Sequence, residues 1–145
     1  VARLAGAPLP AHVLDGVDIW PMLTGETDEA ERDLLLYFDG WNLQCARSGK
    51  WKLHVSRYNS IAWTPDPPGG RYNLPLPNPE LYDLAADPEE SYDTAGDNPQ
   101  IAARIRSRME ELLPTFPGPV MNAWLTTMSY KVQGGPAGAL PVRVA

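Results

Sequence analysis

The chain has 145 residues, is 43% hydrophobic and 21% charged, and carries a net charge of −6. A chain of this length and apolar content can bury a core, which excludes a disordered acidic tail, and its acidic balance argues against nucleic acid as a partner. The longest apolar run, residues 34–38, is far shorter than the ~20 residues of a membrane-spanning helix, so the sequence predicts no membrane span.

The first 25 residues predict two short helical segments. Residues 1–4 have the pattern of a helix end that stops before Gly6. Asp18 is placed to cap a second, shorter turn, which contains Pro21 near its start and ends at Gly25.

Residues 34–55 predict strands. Residues 34–38 are apolar at both odd and even positions, which is typical of a strand covered on both faces. Residues 41–55 predict a hairpin whose two-residue turn is either Ser48-Gly49 or Gly49-Lys50. In either register, one face of the hairpin is predicted to join the core, and the other face, which carries Lys52 and His54, to be more exposed to solvent. The predicted core face consists of Gln44, Ala46, Trp51, Leu53 and Val55.

Proline-rich residues 56–79 predict a long loop rather than a regular element. Beyond it, residues 80–84 predict a short strand, and Asn98 and Pro99 predict the start of a helix that runs to about Leu113. The apolar residues of this helix recur at helical spacing, at Ile101, Ile105, Met109 and Leu112. For residues 114–145 the composition predicts an extended tail rich in proline and glycine.

The residues themselves predict no catalytic and no metal site. The only cysteine, Cys45, faces His54 in one hairpin register and Lys52 in the other, so a nucleophile stands as one interpretation. We favour a packed strand residue, because no third, orienting group is evident. His12 and His54 lie far apart, and the acidic residues within 87–97 lack the spacing of a calcium loop, which favours a solvated turn.

Three segments, in order, resemble the C-terminal subdomain of the sulfatase family, the arylsulfatase-like branch of the alkaline-phosphatase superfamily. One is the hairpin stretch Ala46-Arg47-Ser48-Gly49-Lys50-Trp51-Lys52, which is similar to the family's Arg-x-Gly-x-(Trp/Tyr)-Lys. A second is the strand Glu80-Leu81-Tyr82-Asp83-Leu84, which is followed by Asp87-Pro88-x-Glu90 and a helix. The remaining segment precedes both and is similar to Leu-Asp-Gly-x-Asp-apolar-x-Pro-apolar-Leu-x-Gly; it comprises Leu14-Asp15-Gly16-Val17-Asp18-Ile19-Trp20-Pro21-Met22-Leu23-Thr24-Gly25.

The resemblance implies an α+β fold, in which a small antiparallel sheet of about four strands packs with a C-terminal helix. It implies that residues 1–12 are the end of a linker helix from the catalytic domain, residues 13–113 the sulfatase C-terminal subdomain, and residues 114–145 the tail. The catalytic domain of the same sulfatase is then the partner of this chain, with an oligomer left open. Cysteine usage leaves the compartment open between cytoplasm and periplasm or exterior.

The same resemblance implies a protein that hydrolyses small-molecule sulfate esters. A formylglycine and a calcium-like divalent cation are expected in the catalytic domain and not here, because Cys45 is followed by Arg47 and Gly49 where the family motif requires Pro or Ala and then Arg. Loop 56–79 is expected to line the substrate pocket, and its candidate substrate-binding residues are Arg57, Tyr58, Trp63, Arg71 and Tyr72. The alternatives are a free-standing module that binds a sugar or aryl ligand, or the C-terminal piece of a phosphonate hydrolase relative.

Overall fold

The structure is a computed structural model that describes residues 2–11, 14, 16–28, 32–61, 63–131 and 142–143. The chain divides into two compact units, Val1–Asp33 and Leu34–Ala145. Two parts of the sequence analysis fall outside the described residues: the position of His12 and most of the tail beyond residue 131.

The first unit contains two single-turn helices, α1 (Ala2–Ala5) and α2 (Trp20–Leu23). The sequence predicts Asp18 as the N-cap residue of α2, but in the structure the N-cap residue is Ile19. The Asp18 carboxylate instead accepts the backbone N–H of Trp20 at 3.0 Å and pairs with Arg3 at 3.1 Å. These two bonds lower the pKa of Asp18, the backbone bond having the larger effect.

The second unit is built on a four-stranded antiparallel sheet in the order β1-β2-β3-β4, comprising Leu35–Asp39, Asn42–Ser48, Trp51–Tyr58 and Asn73–Asp83. Two helices follow, α3 (Pro99–Leu112) and α4 (Gly118–Met128), joined by a 3-10 turn at Leu113–Thr115. A short two-stranded sheet pairs β5 (Tyr130–Lys131) with β6 (Val142–Arg143). The predicted α+β class is therefore confirmed. Among the described residues no helix is long and apolar enough to cross a membrane.

The β2–β3 hairpin adopts one of its two predicted registers. Ser48 pairs with Trp51, so Gly49 and Lys50 form the turn, and Cys45 pairs with His54. Gly49 has a φ of +56°, which glycine adopts at little cost and which explains why this turn is selected.

A bulge in β2 then divides its side chains between the two faces of the sheet. The register moves from Phe38–Leu43 to Tyr37–Cys45, which leaves Gln44 as an extra residue. Leu43 and Ala46 consequently both join the core, whereas Cys45 is buried outside it.

The core lies between the sheet and the two helices. Helix α3 contributes the buried residues Ile105 and Met109, and α4 contributes Val120 and Trp124. The sheet side of this core is formed by Leu34, Leu43, Ala46, Leu53, Val55 and Leu81. The prediction of α3 is confirmed, including its cap residue Asn98 and the proline at its start.

The prediction of an extended tail is wrong for residues 118–128, which form α4. Val120, Trp124 and Thr127 stand at positions i, i+4 and i+7, so one helical face is buried. Pro119 lies at the start of the helix, where its missing N–H would have no partner within the helix, and is therefore compatible with it.

Two further predictions need correction. Residues 56–58 and 73–79 belong to β3 and β4, so the connecting loop is residues 59–72 and not 56–79. Prolines are tolerated in β4 because it is an edge strand, and because its register moves from Ser56–Pro75 to His54–Glu80, which bulges out residues 76–79. Strand β1 is the other edge, and Leu35 is 37% exposed rather than covered on both faces.

Candidate functional site

The turn between β1 and β2 and the loop 59–72 between β3 and β4 lie at the same end of the sheet. Side chains tie the two connections together: Asn42 Nδ2 donates to the Tyr58 hydroxyl at 2.8 Å, and Arg71 pairs with Asp39 at 3.3 Å. The Arg71 guanidinium lies 3.8 Å from the centroid of the Tyr58 ring, which is a cation–π contact. The base of the loop is therefore fixed to the neighbouring turn.

The structure brings Tyr58 and Arg71 together and separates the other predicted residues from them. Arg57 pairs with Glu80 across β3 and β4. Tyr72 donates its hydroxyl to the Gly69 carbonyl, and its ring centroid lies 5.9 Å from that of Tyr130. These contacts hold Arg57 and Tyr72 in the framework of the hairpin.

Trp63 differs from the other four candidates because it is 84% exposed near the middle of loop 59–72. With so little of its side chain buried, Trp63 does not anchor the loop to the rest of the described chain. The loop has its own internal bonds, since Asn59 Nδ2 donates to the Gly70 carbonyl at 3.2 Å and Asn59 Oδ1 accepts the Tyr72 N–H at 2.9 Å. An exposed indole is presented from a loop with a defined base.

A second exposed indole was missed by reasoning from sequence. Trp41 is 57% exposed in the β1–β2 turn, directly before Asn42, which bonds Tyr58. The signal was its place directly after Asp39-Gly40, a pair of residues that favours a turn, where a hairpin does not require a large apolar side chain.

The face of the sheet that points away from the core, which we call its outer face, carries a cluster of charged groups centred on Glu90. Its carboxylate accepts Lys52 Nζ at 2.6 Å with one oxygen and His54 Nε2–H at 2.7 Å with the other. Burial raises the pKa of Glu90, but these two bonds outweigh it, and the pKa lies below its usual value. Burial lowers the pKa of His54, although Glu90 opposes this shift.

The prediction of a merely solvated turn at residues 87–97 is therefore wrong for Glu90. Two other acidic residues of this segment accept hydrogen bonds from backbone N–H groups. Asp87 Oδ2 accepts the N–H groups of Ser91 and Tyr92, each at 2.8 Å. Asp93 Oδ1 accepts the Leu81 N–H of β4 at 2.9 Å. Carboxylates in this segment are used to build a turn and to attach it to the sheet.

Cys45 is chemically unsuited to act as a nucleophile. Burial raises its pKa to about 11, so the thiol stays protonated near neutral pH. His54 stands opposite Cys45 in the register, but its Nε2 is already engaged with Glu90. The geometry agrees with the interpretation of Cys45 as a packed strand residue.

Within the described part of the chain, no three His, Cys, Asp or Glu side chains are placed to hold a metal ion. The described residues therefore do not fit the divalent cation that the sulfatase resemblance implies.

Comparison with known families supplies the decisive observation. Residues 30–131 match the model of the C-terminal region of aryl-sulfatase, which covers the sheet, α3, α4 and β5. The chain belongs to the sulfatase family.

Individual sulfatases agree with this assignment. The chain is 32% identical over 121 residues to arylsulfatase A of Bos taurus and 34% identical over 119 residues to arylsulfatase A of Homo sapiens, matching 77% and 73% of this chain. It is also 33% identical over 110 residues to the steryl-sulfatase of Rattus norvegicus, which matches 63% of this chain. The match spans 24%, 23% and 18% of these relatives, so this sulfatase region corresponds to about a quarter of their length or less.

Solved structures share the fold of this sulfatase region. The PsFucS1 sulfatase from Pseudoalteromonas sp. superposes with a TM-score of 0.64 at 20% identity, over 79% of this chain and 24% of that one. A sulfatase structure from a study of glycosaminoglycan metabolism in Bacteroides thetaiotaomicron superposes with a TM-score of 0.58 at 24% identity, over 77% of this chain and 22% of that one.

Proposed function

We propose that this chain is the C-terminal part of an enzyme that hydrolyses sulfate esters, and that loop 59–72 forms part of the substrate-pocket wall. The family match supports the reaction class, since the relatives are arylsulfatases and steryl-sulfatases. The observation that carries the pocket role is Trp63, an exposed indole on a loop whose base is fixed by Arg71, Tyr58 and Asp39.

A fixed loop base matters because a pocket wall must hold its contact groups without a large entropy cost on binding. The stacking of Arg71 on Tyr58 and its ion pair with Asp39 supply that rigidity. An indole presented from such a base offers a flat apolar surface to the organic half of a sulfate ester.

The ion pairs of Arg57 and Arg71 support a positioning role for these arginines. Arg57 pairs with Glu80 and Arg71 with Asp39, so the charge of each guanidinium is already balanced by a carboxylate. Binding of the sulfate group by either arginine would require its ion pair to break. We therefore assign the arginines a positioning role and propose the indoles of Trp63 and Trp41 as the substrate contacts.

The chemical step is proposed to reside in a catalytic domain of the same protein, which would supply the formylglycine nucleophile and a divalent cation. This region packs against that domain and supports it. Residues 1–145 alone are expected to release no sulfate from an aryl sulfate, because the chain lacks the Cys/Ser-x-(Pro/Ala)-x-Arg motif around Cys45. Chelator-sensitive turnover by the purified fragment would contradict this assignment.

The test uses the complete enzyme with Trp63→Ala, and Tyr92→Ala as the matched control. Tyr92 is also a highly exposed aromatic residue, but it lies in the turn after β4 rather than in loop 59–72. We expect Trp63→Ala to change the ratio of kcat/KM between a bulky and a small aryl sulfate by about 10-fold or more, with little change in melting temperature. Tyr92→Ala should leave that ratio unchanged.

Equal losses of kcat/KM for every ester, together with a lower melting temperature, would show that Trp63 is structural. Hydrolysis of phosphonates in place of sulfates by the complete enzyme would refute the reaction class itself.

A further inference from the structure

We propose that Glu90, Lys52 and His54 form an acid-sensitive latch that holds the turn of residues 87–92 on the outer face of the sheet at neutral pH and releases it in acid. Glu90 belongs to this turn, whereas Lys52 and His54 project from the neighbouring positions of β3, two residues apart on one face. The side chains of Glu90, Lys52 and His54 are 25%, 17% and 20% exposed, so the ion pair with Lys52 and the hydrogen bond with His54 are partly shielded from water.

The turn depends on this latch for its contact with β3, because its other bonds are internal or join its two ends to β4. The Glu90 N–H donates to the Asp87 carbonyl at 3.2 Å, and Asp87 also binds Ser91 and Tyr92 within the turn. At the start of the turn the Asp87 N–H donates to the Asp83 carbonyl of β4 at 2.8 Å. After the turn, Asp93 Oδ1 accepts the Leu81 N–H at 2.9 Å and the Thr94 N–H donates to the Leu81 carbonyl at 2.8 Å.

Backbone strain also opposes the closed turn. Glu90 has a φ of +56°, in the left-handed region that a residue with a Cβ adopts only at a cost in free energy. The ion pair of its side chain with Lys52 and its hydrogen bond with His54 offset that cost. Once they are lost, the turn gains by relaxing to ordinary backbone angles.

The charges around the latch make protonation unfavourable for its closed form. His54 faces Cys45 of β2 and has its ring edge against Tyr82 of β4, with the centroids 5.6 Å apart. Lys52 lies 5.1 Å from the Tyr37 ring of β1, and Arg57 adds a further positive charge along β3.

Two acidic residues of the neighbourhood are already engaged. Glu80 is shared between Arg57 and the Tyr82 hydroxyl, and Asp93 accepts the Leu81 N–H. A protonated His54 would therefore share the single carboxylate of Glu90 with Lys52, in a site that excludes much of the water.

Protonation of His54 and protonation of Glu90 both weaken the latch as the pH falls. The pKa of His54 is lowered from 6.5, so its stabilising effect is complete above that value and decreases as pH falls below it. The pKa of Glu90 is lowered from 4.5, so its effect is present above that value and is lost as pH falls through the pKa of the folded state. The latch weakens first on protonation of His54 and opens when Glu90 is neutralised.

The experiment is hydrogen–deuterium exchange of the complete protein between pH 7.5 and 3.0, corrected for intrinsic exchange, so that the range extends well below 4.5 and covers the titration of Glu90. A peptide that covers residues 85–93 reports the turn, and one from β2 reports the sheet. We expect the protection of the turn to fall at least 10-fold across this range while β2 stays protected.

Two variants separate the latch from a general acid effect. Glu90→Gln should remove most of the protection of the turn already at pH 7.5 and flatten its pH dependence. His54→Gln keeps a side-chain donor without the titration, so the loss of protection should shift to lower pH. Glu110→Gln, which removes an exposed ion pair with Arg106 on α3, is the matched control and should behave as wild type.

Wild-type protection and pH dependence in Glu90→Gln would overturn the proposal. So would an unchanged midpoint in His54→Gln, because the pH response would then not involve His54.

Discussion

Replacing Asn73 should destabilise the protein more than its polar side chain suggests. Asn73 is 7% exposed at the start of β4, and its Nδ2 donates to Ser56 Oγ at 3.0 Å and to Thr127 Oγ1 at 3.1 Å. Its Oδ1 accepts Gln44 Nε2 at 3.3 Å. One amide therefore joins β2, β3, β4 and α4.

The magnitude follows from these three bonds. At about 1 kcal/mol net for each, Asn73→Ala should lower the free energy of unfolding by roughly 2–4 kcal/mol, because the Thr127 hydroxyl is left buried without this donor. Ser56 loses less, since its hydroxyl still donates to the Leu43 carbonyl at 2.8 Å. For a unit of this size, the loss corresponds to a decrease of roughly 8–16 °C in melting temperature.

Urea unfolding of four proteins tests this reasoning: wild type, Asn73→Ala, Thr127→Val and the double variant. We expect a coupling energy of about 1 kcal/mol between positions 73 and 127. Asn78→Ala is the control, because Asn78 is an exposed asparagine of the same strand and should change stability by less than about 0.5 kcal/mol. Additive losses at positions 73 and 127, or an Asn73→Ala effect as small as that of Asn78→Ala, would refute the network.

Three other substitutions give independent expectations. Met109→Ala should cost about 2–5 kcal/mol by urea unfolding, because Met109 is fully buried in the core, and a loss below 1 kcal/mol would contradict that packing. Cys45→Ser in the complete enzyme should leave turnover largely intact and cost about 1–3 kcal/mol of stability, since a hydroxyl replaces a buried thiol; loss of turnover by orders of magnitude with the fold preserved would revive the nucleophile interpretation. Gly49→Ala should cost about 1–2 kcal/mol through its positive φ alone, since no atom lies within 4 Å of the added Cβ, and Gly49→Asn should recover part of that loss.

The parts of the fold that could be predicted are those fixed by local patterns. Helix α3 follows from the spacing of Ile105 and Met109 and from Asn98-Pro99 at its start. The β2–β3 hairpin follows from alternation, but alternation alone allowed two turns. Placing Gly49 first in the turn settles the register, because that position requires a positive φ.

Elements that depend on distant contacts were not predictable. Helix α4 is short and contains proline at its start, and its buried face is recognisable only once the sheet that covers it is known. The bulges at Gln44 and at residues 76–79 leave no clear local signal, yet they decide which side chains reach the core.

In the candidate site, too, local sequence patterns predicted some features, whereas features that depend on distant contacts could not be predicted. Composition singled out the aromatic and basic residues of the predicted loop 56–79, but not that Asp39, at the end of β1 and 32 positions away, neutralises Arg71. The role of Glu90 was also missed, since nothing local distinguishes a carboxylate that reaches Lys52 and His54 from one that faces water.

The prolines of β4 have a consequence for self-association. An edge strand can recruit a second chain through its unpaired backbone groups, and Pro75, Pro77 and Pro79 remove three N–H donors from this one. Strand β1, at the opposite edge, has no proline and contains the apolar residues Leu35, Leu36, Tyr37 and Phe38. Intermolecular strand addition, and hence aggregation of the isolated chain, should therefore begin at β1, and a lysine at the exposed position 35 should suppress it.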